Sequence, residues 1–540
     1  MRRVVQVSRA RSLWGWGHED DAVPVEERDR LAGLIAALLG IEVPQAREAV
    51  RLEDLALPAP RVTPPAALAP LLTDDRRERA AHAAGKSFRD TVRAFRGELT
   101  AFPDLVAVPG DENDISALLD WCTAARIAVI PFGGGSSVVG GVEPLVGDAF
   151  AGCVSLDLRR LDRLLELDAQ SRAARFEAGI LGPALEDALR PHGLTLRHYP
   201  QSFEFSSLGG WLATRSGGHF ATLHTHIDDF VESIRALTPR GVTESRRLPA
   251  SGAGPSPDRL LLGSEGSLAV ITSAWMRVQE RPRFRAASPV AFGSFEAALA
   301  AARALGQSGL YPSNCRVLDA TEAMVSGTGD GSAHLLLLAF ESADHPVDAA
   351  LLRGLELCRD HGGAPLCDAA PPSRSAGTPA ADGDAVGAWR SSFLRAPYLR
   401  DALVSLGLIS ETFETAVTWD RVDALCASVQ AAVRGSASWR GGVVSTRVTH
   451  VYPDGCAPYF TVIAASEHGN QVAQWDELKH VAAEAVLAGG GTITHHHAVG
   501  RDHMPQYLQQ RPALFGDALA AAKRALDPAG ILNPGVLVPL

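Results

Sequence analysis

The sequence contains no long hydrophobic run and no excess of basic residues, and these two absences exclude whole classes of protein. No segment approaches the roughly 18 to 20 apolar residues that a membrane span needs; a typical apolar run is HLLLLAF at residues 334–340. The 540 residues include 51 basic and 62 acidic side chains, a formal net charge of −11. No nucleic-acid partner is expected, because such binding needs clustered Lys and Arg to displace counterions.

Cysteine is scarce as well, with seven in 540 residues. An odd number with no CxxC spacing argues against a disulfide framework and against a cysteine metal site. We expect reduced thiols that pack as small hydrophobic groups, as in a protein of a reducing compartment. The seven are Cys122, Cys153, Cys315, Cys358, Cys367, Cys426 and Cys456.

The chain also lacks recognisable targeting signals. Its first residues, MRRVVQVSRARSLWGWG, are basic but have no apolar core followed by a small-residue cleavage site. The C-terminal VPL is not a peroxisomal address. We therefore expect a cytoplasmic protein.

What the chain does contain is an ordinary globular composition, 46% hydrophobic and 21% charged, arranged in segments of different texture. Helical spacing gives way to short β runs that are punctuated by glycine and interleaved with helices, which predicts an α+β fold. A stretch rich in Pro, Ala and Gly is predicted to be a mobile loop near residues 368–386, because it cannot bury a core. The four predicted segments are a helical N-terminal region at 1–100, an α+β domain at 101–282, a second domain at 283–470 and a C-terminal segment at 471–540.

The strongest local motif is PFGGGSSVVGG at residues 131–141. A β run that enters three glycines and two serines lets backbone N–H groups approach an anion without obstruction by Cβ atoms, which suits a pyrophosphate. The motif is neither a GxGxxG before a helix nor a GxxxxGKS/T phosphate loop. Taken alone, a Gly/Ser loop is an ordinary turn at least as often as a phosphate site.

Two further stretches have the same character, PQSFEFSSLGGWLATRSGG at 200–218 and GSEGSLAVI at 263–271. Both are rich in glycine and hydroxyl side chains, and the second enters a β run. Three such stretches can together wrap one long cofactor that contains a diphosphate. A dinucleotide is therefore the natural candidate.

These three stretches, together with ILNPG near the C-terminus, resemble the FAD-binding domain of the vanillyl-alcohol oxidase and p-cresol methylhydroxylase (PCMH) superfamily. The resemblance implies FAD between two α+β subdomains, an antiparallel-sheet cap domain over the substrate, and a helical N-terminal extension. It implies noncovalent FAD, because PFGGGSS has no histidine of the kind that tethers flavin in some relatives. The implied FAD contacts are Pro131, Phe132, Gly133, Gly134, Gly135, Ser136, Ser137, Gly140, His198, Pro200, Ser202, Ser206, Ser207, Gly209, Gly210, Thr214, Ser216, Glu265, Gly266, Ser267, Val270 and Ile271.

Within the superfamily, the chain most resembles the alkyldihydroxyacetonephosphate synthase (alkylglycerone-phosphate synthase) family, from WGWGHED at Trp14 to the C-terminal NPG. The stretches that carry this resemblance are SETFETAVTWDRV from Ser410, TRVTHVYPDGCAPYFTV from Thr446, and the HHH triplet that begins at His495. Lactate and glycolate dehydrogenases of the superfamily tend to have a Glu-His pair instead of the triplet. The resemblance implies a flavin-dependent transferase that exchanges the acyl group of an acyl-dihydroxyacetone phosphate for a long-chain alcohol, in ether-lipid synthesis.

The residues of the triplet alone leave two interpretations open. Three consecutive imidazoles cannot all face one way, so at most two share a face. His503 is near, but its spacing fits no common zinc pattern, so we expect no metal site. The triplet is either an inert surface turn or, following AGGGTIT, an anion or acid–base site. The family resemblance makes His495, His496 and His497 catalytic residues beside the flavin.

Four further residues take their roles from the resemblance. It makes Tyr459 catalytic, where the residue pattern alone favours a core tyrosine. It makes Arg400 the ligand of the substrate phosphate, where most such arginines are solvated surface charges. Thr412 stands where the family has an active-site serine, and is assigned to substrate binding. Arg316 matches an arginine near the flavin and the histidines, and a structural salt bridge is its main alternative.

Two other functions share most of these motifs. An FAD-linked oxidoreductase of an alcohol or 2-hydroxy acid would keep every FAD motif, and a flavin-free binding scaffold would keep the fold. The triplet and the ETFET stretch favour the transferase, and three intact cofactor loops disfavour the scaffold. The implied partners are lipid-like small-molecule substrates, with peripheral membrane contact, and a second copy of the chain in a homodimer.

Overall fold

The structure, a computed structural model, describes residues 9–366, 374–375, 385–467 and 469–539. The six cysteines in these ranges are free and buried, and Cys367 lies outside the described residues. The loop predicted near residues 368–386 also lies almost wholly outside them. Within the described ranges, no helix combines the length and the hydropathy that a membrane span needs.

The β-strands extend from residue 72 to residue 464. They are β1 (Leu72–Thr73), β2 (Leu105–Ala107), β3 (Ile127–Phe132), β4 (Gly152–Asp157), β5 (Leu164–Asp168), β6 (Ala173–Glu177), β7 (Leu194–Thr195), β8 (Val231–Thr238), β9 (Gly241–Glu244), β10 (Val270–Arg277), β11 (Gln279–Glu280), β12 (Phe284–Phe292), β13 (Asn314–Leu318), β14 (His334–Ser342), β15 (Ala364–Pro365), β16 (Arg374–Ser375), β17 (Ile409–Glu414), β18 (Val417–Thr418), β19 (Gly442–Val451) and β20 (Gly455–Ala464).

The α-helices connect and cover these strands. They are α1 (Val25–Leu39), α2 (Arg76–Ala81), α3 (Phe88–Arg96), α4 (Glu112–Ala125), α5 (Gly182–Leu189), α6 (Leu208–Thr214), α7 (Asp258–Leu261), α8 (Phe295–Gln307), α9 (Ala320–Val325), α10 (Asp348–Asp360), α11 (Ala385–Ser405), α12 (Val422–Gly435), α13 (Gln471–Ala488), α14 (Met504–Gln510) and α15 (Ala513–Leu526).

The strands up to residue 280 form two large sheets and a small antiparallel one made of β7 and β11. β1, β2, β4 and β3 lie side by side in that order, with β2, β4 and β3 parallel and β1 antiparallel at the edge. β5, β6, β10, β8 and β9 form an antiparallel sheet. The connection between β2 and β3 is α4, which begins where the Asp111 carboxylate accepts the N–H groups of Asn113 and Asp114, as the sequence DENDIS predicts. Helices thus accompany both parallel and antiparallel sheets, and the predicted α+β class is confirmed.

The second half of the chain forms one antiparallel sheet of nine strands within the described residues. Its order is β15, β12, β14, β13, β19, β20 and β17, with β16 added to β12 and β18 added to β20. HLLLLAF forms most of β14, which lies between β12 and β13. Leu336 and Leu338 pack against α8 and α10 on one face of the sheet, and Leu335 and Leu337 pack with Leu318 and Ala323 on the other. The stretch TRVTHVYPDGCAPYFTV forms the β19–β20 hairpin, so the predicted strand pair is confirmed.

Two large apolar cores fix the relative positions of these layers. One lies between the first two sheets, and the other lies between the nine-stranded sheet and helices α8, α10, α12 and α13. The C-terminal segment joins the first core through Ile531 and Leu532. The N–H group of Val129 in β3 donates to the Ile531 carbonyl at 2.8 Å, so the end of the chain returns to the strand that enters the glycine-rich motif.

Candidate active site

A large cleft lies where the glycine-rich motifs meet the nine-stranded sheet and the C-terminal segment. It encloses about 2440 Å³ of empty space, including the part that is open to solvent. Most residues predicted for the site line this cleft: Pro131, Phe132, Gly133, Gly134, Gly135, Ser136, Ser137, Pro200, Ser202, Ser206, Ser207, Gly209, Gly210, Thr214, Ser216, Glu265, Gly266, Val270, Ile271, Arg316, Arg400, Thr412, Tyr459, His496 and His497. Four other predicted residues lie behind the lining: Gly140, His198, Ser267 and His495.

The glycines after β3 are required by a close approach of two chain segments. A Cβ atom on Gly134 would lie 1.7 Å from the Phe205 carbonyl oxygen, and one on Gly133 would lie 2.2 Å from Ser207 Oγ. Within the described part of the chain, the N–H groups of residues 133–137 have no hydrogen-bond acceptor. Five adjacent N–H groups on the wall of a cleft form a cradle for an anion such as a diphosphate.

Glu265 and Asn533 tie the third motif to the first. The Asn533 side-chain amide donates to the carbonyl oxygens of Gly141 at 3.0 Å and Glu265 at 2.7 Å. The Glu265 carboxylate accepts the N–H groups of Val499 at 3.0 Å and Gly500 at 2.9 Å. Burial raises the pKa of Glu265 to about 7, although these two N–H groups oppose the shift. The asparagine of ILNPG therefore holds the cleft wall together.

Three predicted FAD contacts lie behind the cleft lining and stabilise the segments that form it. His198 is fully buried, its Nε2 lies 3.3 Å from Ser216 Oγ, and burial lowers the pKa of its imidazole to about 3. The Ser267 hydroxyl donates to the Ser264 carbonyl at 2.7 Å within the turn that precedes β10. Gly140 adopts a φ of 68°, in the left-handed region that favours glycine.

The Glu414 carboxylate organises the histidine triplet. It accepts the N–H groups of His495, His496 and His497 at 2.5, 3.0 and 2.9 Å, and the Thr494 hydroxyl at 2.7 Å. Burial raises the pKa of Glu414, but the three imidazoles and the N–H groups outweigh it and hold that pKa well below its usual range. An ionised, buried carboxylate therefore lies 3.7 and 3.8 Å from Nδ1 of His496 and His497.

Tyr459 faces the triplet from strand β20. Its ring centroid lies 6.1 Å from that of His496 and 5.6 Å from that of His497. The guanidinium carbon of Arg447 lies 3.8 Å from the centroid of the tyrosine ring. Burial raises the pKa of Tyr459, although Arg447 and Thr412 lower it. The phenol is therefore a neutral O–H group at neutral pH.

Arg316 is a buried cation on the wall of the cleft. Its Nη2 donates to the His219 carbonyl at 2.9 Å. Burial, reinforced by the neighbouring Arg447, lowers the pKa of Arg316 to about 9. Since a buried guanidinium is stabilised by negative charge, this wall favours an anionic or electron-rich ligand.

Arg400, on α11, lines the cleft beside Lys86. Its Nη1 donates to the Lys86 carbonyl at 2.5 Å, and its Nη2 donates to Asp401 Oδ1 at 3.3 Å. Nζ of Lys86 is buried and lies 3.4 Å from the Ser12 carbonyl oxygen. Burial lowers the pKa of Lys86 to about 7, against the attraction of Asp401. Asp401 thus pairs with Arg400 and attracts Lys86 at longer range, so two basic side chains face one carboxylate, an arrangement that attracts a further anion.

Four charged residues that line the cleft are absent from the sequence prediction, namely Lys86, Glu322, Glu411 and Arg447, and so is Glu414 behind the lining. Glu414 lies in the SETFET stretch that carries the resemblance, so an acidic residue in a β run was an available signal. Arg447 lies in the TRVTHV stretch that also carries the resemblance, so it had the same signal, whereas Lys86 had none, because the groups that it contacts come from distant parts of the chain.

Two groups of side chains around the histidine triplet place atoms that could bind a metal within 4.8 Å of one another. One group is His450, His495 and His496, and the other is Glu414, His496 and His497. These atoms also bond to protein neighbours: His450 Nε2 lies 3.0 Å from the Gly218 carbonyl oxygen, and His495 Nδ1 lies 3.0 Å from His496 Nδ1. These ring nitrogens therefore already have hydrogen-bonding partners within the protein. The sequence expectation of no metal site stays a prediction.

Known proteins share both the sequence and the fold. Family models described as FAD binding domain and as FAD linked oxidases, C-terminal domain, match residues 103–245 and 281–537. The chain is 30% identical over 488 residues to the alkyldihydroxyacetonephosphate synthase of Dictyostelium discoideum, covering 87% of this chain and 78% of that protein. A solved alkyldihydroxyacetonephosphate synthase superposes with a TM-score of 0.77 at 25% identity, covering 97% of this chain and 98% of that one. Substrate-bound p-cresol methylhydroxylase shares the fold, with a TM-score of 0.66 at 12% identity, covering 88% and 95%.

Proposed function

The chain belongs to the alkyldihydroxyacetonephosphate synthase family and is an FAD-dependent enzyme of ether-lipid synthesis, and we propose that its cleft carries out that reaction as follows. The fatty acyl group of an acyl-dihydroxyacetone phosphate is exchanged for a long-chain alcohol, and fatty acid is released. One observation carries the assignment: the Glu414-bound triplet faces Tyr459 in the same cleft that holds the glycine-rich cradle.

The glycine-rich cradle fits FAD. Its five N–H groups without acceptors would bind the diphosphate, and Ser206, Ser207 and Glu265 would line the adjoining wall. When bound, FAD would supply an electron-poor ring system for the reaction. The absence of histidine from residues 131–137 supports noncovalent binding.

Arg400 and Lys86 bind the phosphate of the donor in this proposal. The guanidinium of Arg400 is fixed by the Lys86 carbonyl and by Asp401, which leaves it pre-organised rather than mobile. A dianionic phosphate would also attract a proton to Lys86, whose pKa of about 7 places it at the point of titration. Thr412 lines the same cleft and would contact the donor near Tyr459.

An apolar stretch of the wall supports lipid-like substrates. It is formed by Trp16, Phe88, Leu399, Leu403 and Ile463, which come from the N-terminal segment, α3, α11 and β20. Leu399 and Leu403 flank Arg400 in sequence on α11, so the phosphate ligand and the apolar wall share one helix. An aliphatic chain placed here would lose contact with water, which favours binding by about 0.8 kcal/mol per buried CH₂ group.

In this proposal, His496, His497 and Tyr459 accept and donate the protons that move during the exchange. Burial lowers the pKa of His496, so at neutral pH this imidazole is uncharged and can accept a proton on a ring nitrogen. The ionised Glu414 stabilises the imidazolium that results. The neutral phenol of Tyr459 can donate a proton to a departing or an entering oxygen. Arg316 stabilises negative charge that develops on the donor.

The test of this function uses purified protein, acyl-dihydroxyacetone phosphate and radiolabelled hexadecanol without oxygen. Labelled alkyl product with no accumulation of reduced flavin is the expected result. Bleaching of the flavin by a simple alcohol or 2-hydroxy acid, with no labelled product from the donor, would favour the oxidoreductase instead.

We further propose a cytoplasmic homodimer that makes peripheral contact with a membrane, with domain boundaries as predicted at 101–282 and 283–470. Free, buried cysteines support a reducing compartment. Membership of the family supports the homodimer. Leu514 and Phe515, on α15, are 82% and 53% exposed, and adjacent exposed apolar side chains support a membrane contact. Size-exclusion chromatography with light scattering tests the dimer.

A further inference from the structure

His495 is the only member of the triplet that lies behind the cleft lining, and both of its ring nitrogens have partners. Its Nδ1 lies 3.0 Å from Nδ1 of His496. Its Nε2 lies 2.7 Å from the hydroxyl oxygen of Tyr452 and 3.1 Å from Nε2 of His226. His495 therefore bridges a residue of the cleft wall and a residue 269 positions away in sequence.

His226 connects His495 with the protein surface. It lies before β8 and is partly exposed, and its Nδ1 lies 3.2 Å from the Arg215 carbonyl oxygen. His496 lines the cleft and His495 does not. The three imidazoles thus lead from the reacting end of the cleft to solvent.

The partners of the three rings are compatible with one common direction for their N–H groups. The Tyr452 hydroxyl donates to Thr225 Oγ1 at 3.2 Å, so its oxygen accepts from His495, which places a proton on His495 Nε2. His495 Nδ1 then carries a lone pair and accepts from His496 Nδ1–H. The Arg215 carbonyl can only accept, so His226 carries its proton on Nδ1 and offers Nε2 to His495. In this arrangement, the N–H groups of the three imidazoles point away from the cleft.

We propose that His496, His495 and His226 form a proton relay between the reacting end of the cleft and solvent. A proton that binds Nε2 of His496 displaces the Nδ1 proton onto His495 Nδ1; the Nε2 proton of His495 moves to His226 Nε2; and His226 releases its Nδ1 proton to water. One N–H bond forms for each that breaks, one proton enters and one leaves, and no electrons are exchanged. The relay rests on the proposed function, which requires a proton to leave the donor.

The surroundings of the cluster favour this route. The Glu414 carboxylate beside His496 already accepts three N–H groups and one hydroxyl, and its low pKa means that it keeps its charge rather than taking the proton. Burial, reinforced by the charge of the other histidines, lowers the pKa of His495, so the ring is neutral between transfers. A neutral imidazole can accept on one nitrogen while it donates from the other.

The experiment compares the variants His226→Ala and His226→Gln with the wild type, as holoenzymes in buffer with EDTA. With labelled hexadecanol, kcat for ether formation is expected to fall about tenfold or more in both variants, with little change in KM. Added imidazole is expected to restore His226→Ala towards the wild-type rate, because a small base can enter the vacated, solvent-facing position. His226→Gln, in which the side chain still fills the position, is expected to respond less.

The matched control is His224→Gln, since His224 is also half-buried, lies on the same loop and packs against Phe230 instead of the triplet. It is expected to retain the wild-type rate. Wild-type kcat in both His226 variants would overturn the relay, and so would a loss that imidazole does not reverse while the flavin content is unchanged. If the wild type itself forms no ether, the proposed function fails, and the two failures are thereby distinguished.

Discussion

At the residue scale, a few buried charges determine what the cleft can bind and where protons can go. The chain has three lysines among its 51 basic residues, and each makes an internal contact: Lys86 with Ser12, Lys479 with Glu411 and Lys523 with Asp527. Arginine keeps its proton at neutral pH, whereas a buried lysine can titrate in that range. Lys86 is therefore suited to take up a proton when an anionic ligand binds.

Replacing Lys86 by methionine is expected to weaken binding of the phosphate donor. A hydrogen bond to a charged group is worth about 1.5 to 3 kcal/mol, so KM should rise about 10- to 100-fold while kcat falls less. Steady-state kinetics measure both constants. Arg240→Met removes one positive charge from an exposed turn and should leave KM unchanged; equal effects of the two variants would contradict the assignment.

Glu414→Gln removes the negative charge that supports the triplet. The carboxamide cannot stabilise imidazolium and sets an NH₂ group against N–H donors, so kcat should fall at least about 100-fold and the free energy of unfolding should fall by about 1 to 3 kcal/mol. Product formation and urea unfolding measure the two effects. Glu280→Gln, at an exposed pair with Arg172, should change neither. A Glu414→Gln enzyme with normal kcat would refute this role.

The difference in stability between the wild type and Glu414→Gln is predicted to depend on pH. The pKa of Glu414 is depressed in the folded state, so the stability that its charge contributes is present above the ordinary value of 4.5 and is lost as the pH falls through the lower folded value. The stability difference between wild type and Glu414→Gln should therefore narrow below pH 4.5. Urea unfolding across this range checks it, and a gap that widens with acid would be inconsistent with the depressed pKa.

At the element scale, the junction between β3 and the glycine-rich motif positions the cradle. The parallel strand ends at Phe132, and the chain then passes so close to residues 205–207 that side chains are excluded. The return of the C-terminal segment beside Val129 braces the same strand. The cradle is thus held by main-chain contacts rather than by flexible side chains.

Gly134→Ala is expected to displace this cradle. The added methyl group would lie 1.7 Å from the Phe205 carbonyl oxygen, so one of the two segments must move and the purified protein should contain much less flavin. Absorbance at flavin wavelengths relative to protein measures the loss. Gly293→Ala places its methyl group in open space and should keep its flavin. Full flavin content in Gly134→Ala would show that the cradle lies elsewhere.

Elements with a local pattern could be predicted from the sequence, whereas the assembly of the site could not. The capped α4 and the β19–β20 hairpin follow from capping residues and from β runs around PDG. The contact between His226 and His495 follows from no local pattern, because 269 residues separate them. The pairing of Glu414 with Tyr459 depends on the register of β17 against β20, which a single sequence does not specify.

At the scale of the whole molecule, both ends of the described chain close on the cleft. The Trp16 N–H group donates to the Asp401 carboxylate beside Arg400, and Asn533 joins the first and third motifs. Segments near the two ends of the chain therefore hold in place ligand-binding residues of the cleft that come from other parts of the sequence. Among the exposed apolar side chains, Leu514 and Phe515 are adjacent in sequence on α15.

The double variant Leu514→Glu, Phe515→Glu is expected to reduce binding to lipid vesicles. Both side chains are more than half exposed, so their replacement should leave folding and turnover of a soluble short-chain donor intact. Co-sedimentation with phosphatidylcholine vesicles measures the effect. Leu34→Glu, at a side chain that is 68% exposed on α1, serves as the control. Equal sedimentation of wild type and double variant would exclude this surface.

The stoichiometry of a single reaction mixture distinguishes an exchange of acyl for alkyl group from an oxidation of the substrate. Purified enzyme is incubated in air-saturated buffer with acyl-dihydroxyacetone phosphate and hexadecanol, and ether product, released fatty acid and consumed oxygen are measured together. An exchange of acyl for alkyl group predicts equal amounts of ether and fatty acid, with no consumption of oxygen. Oxygen consumption that matches the loss of substrate, without ether product, would contradict the account and identify the cleft as that of an oxidase.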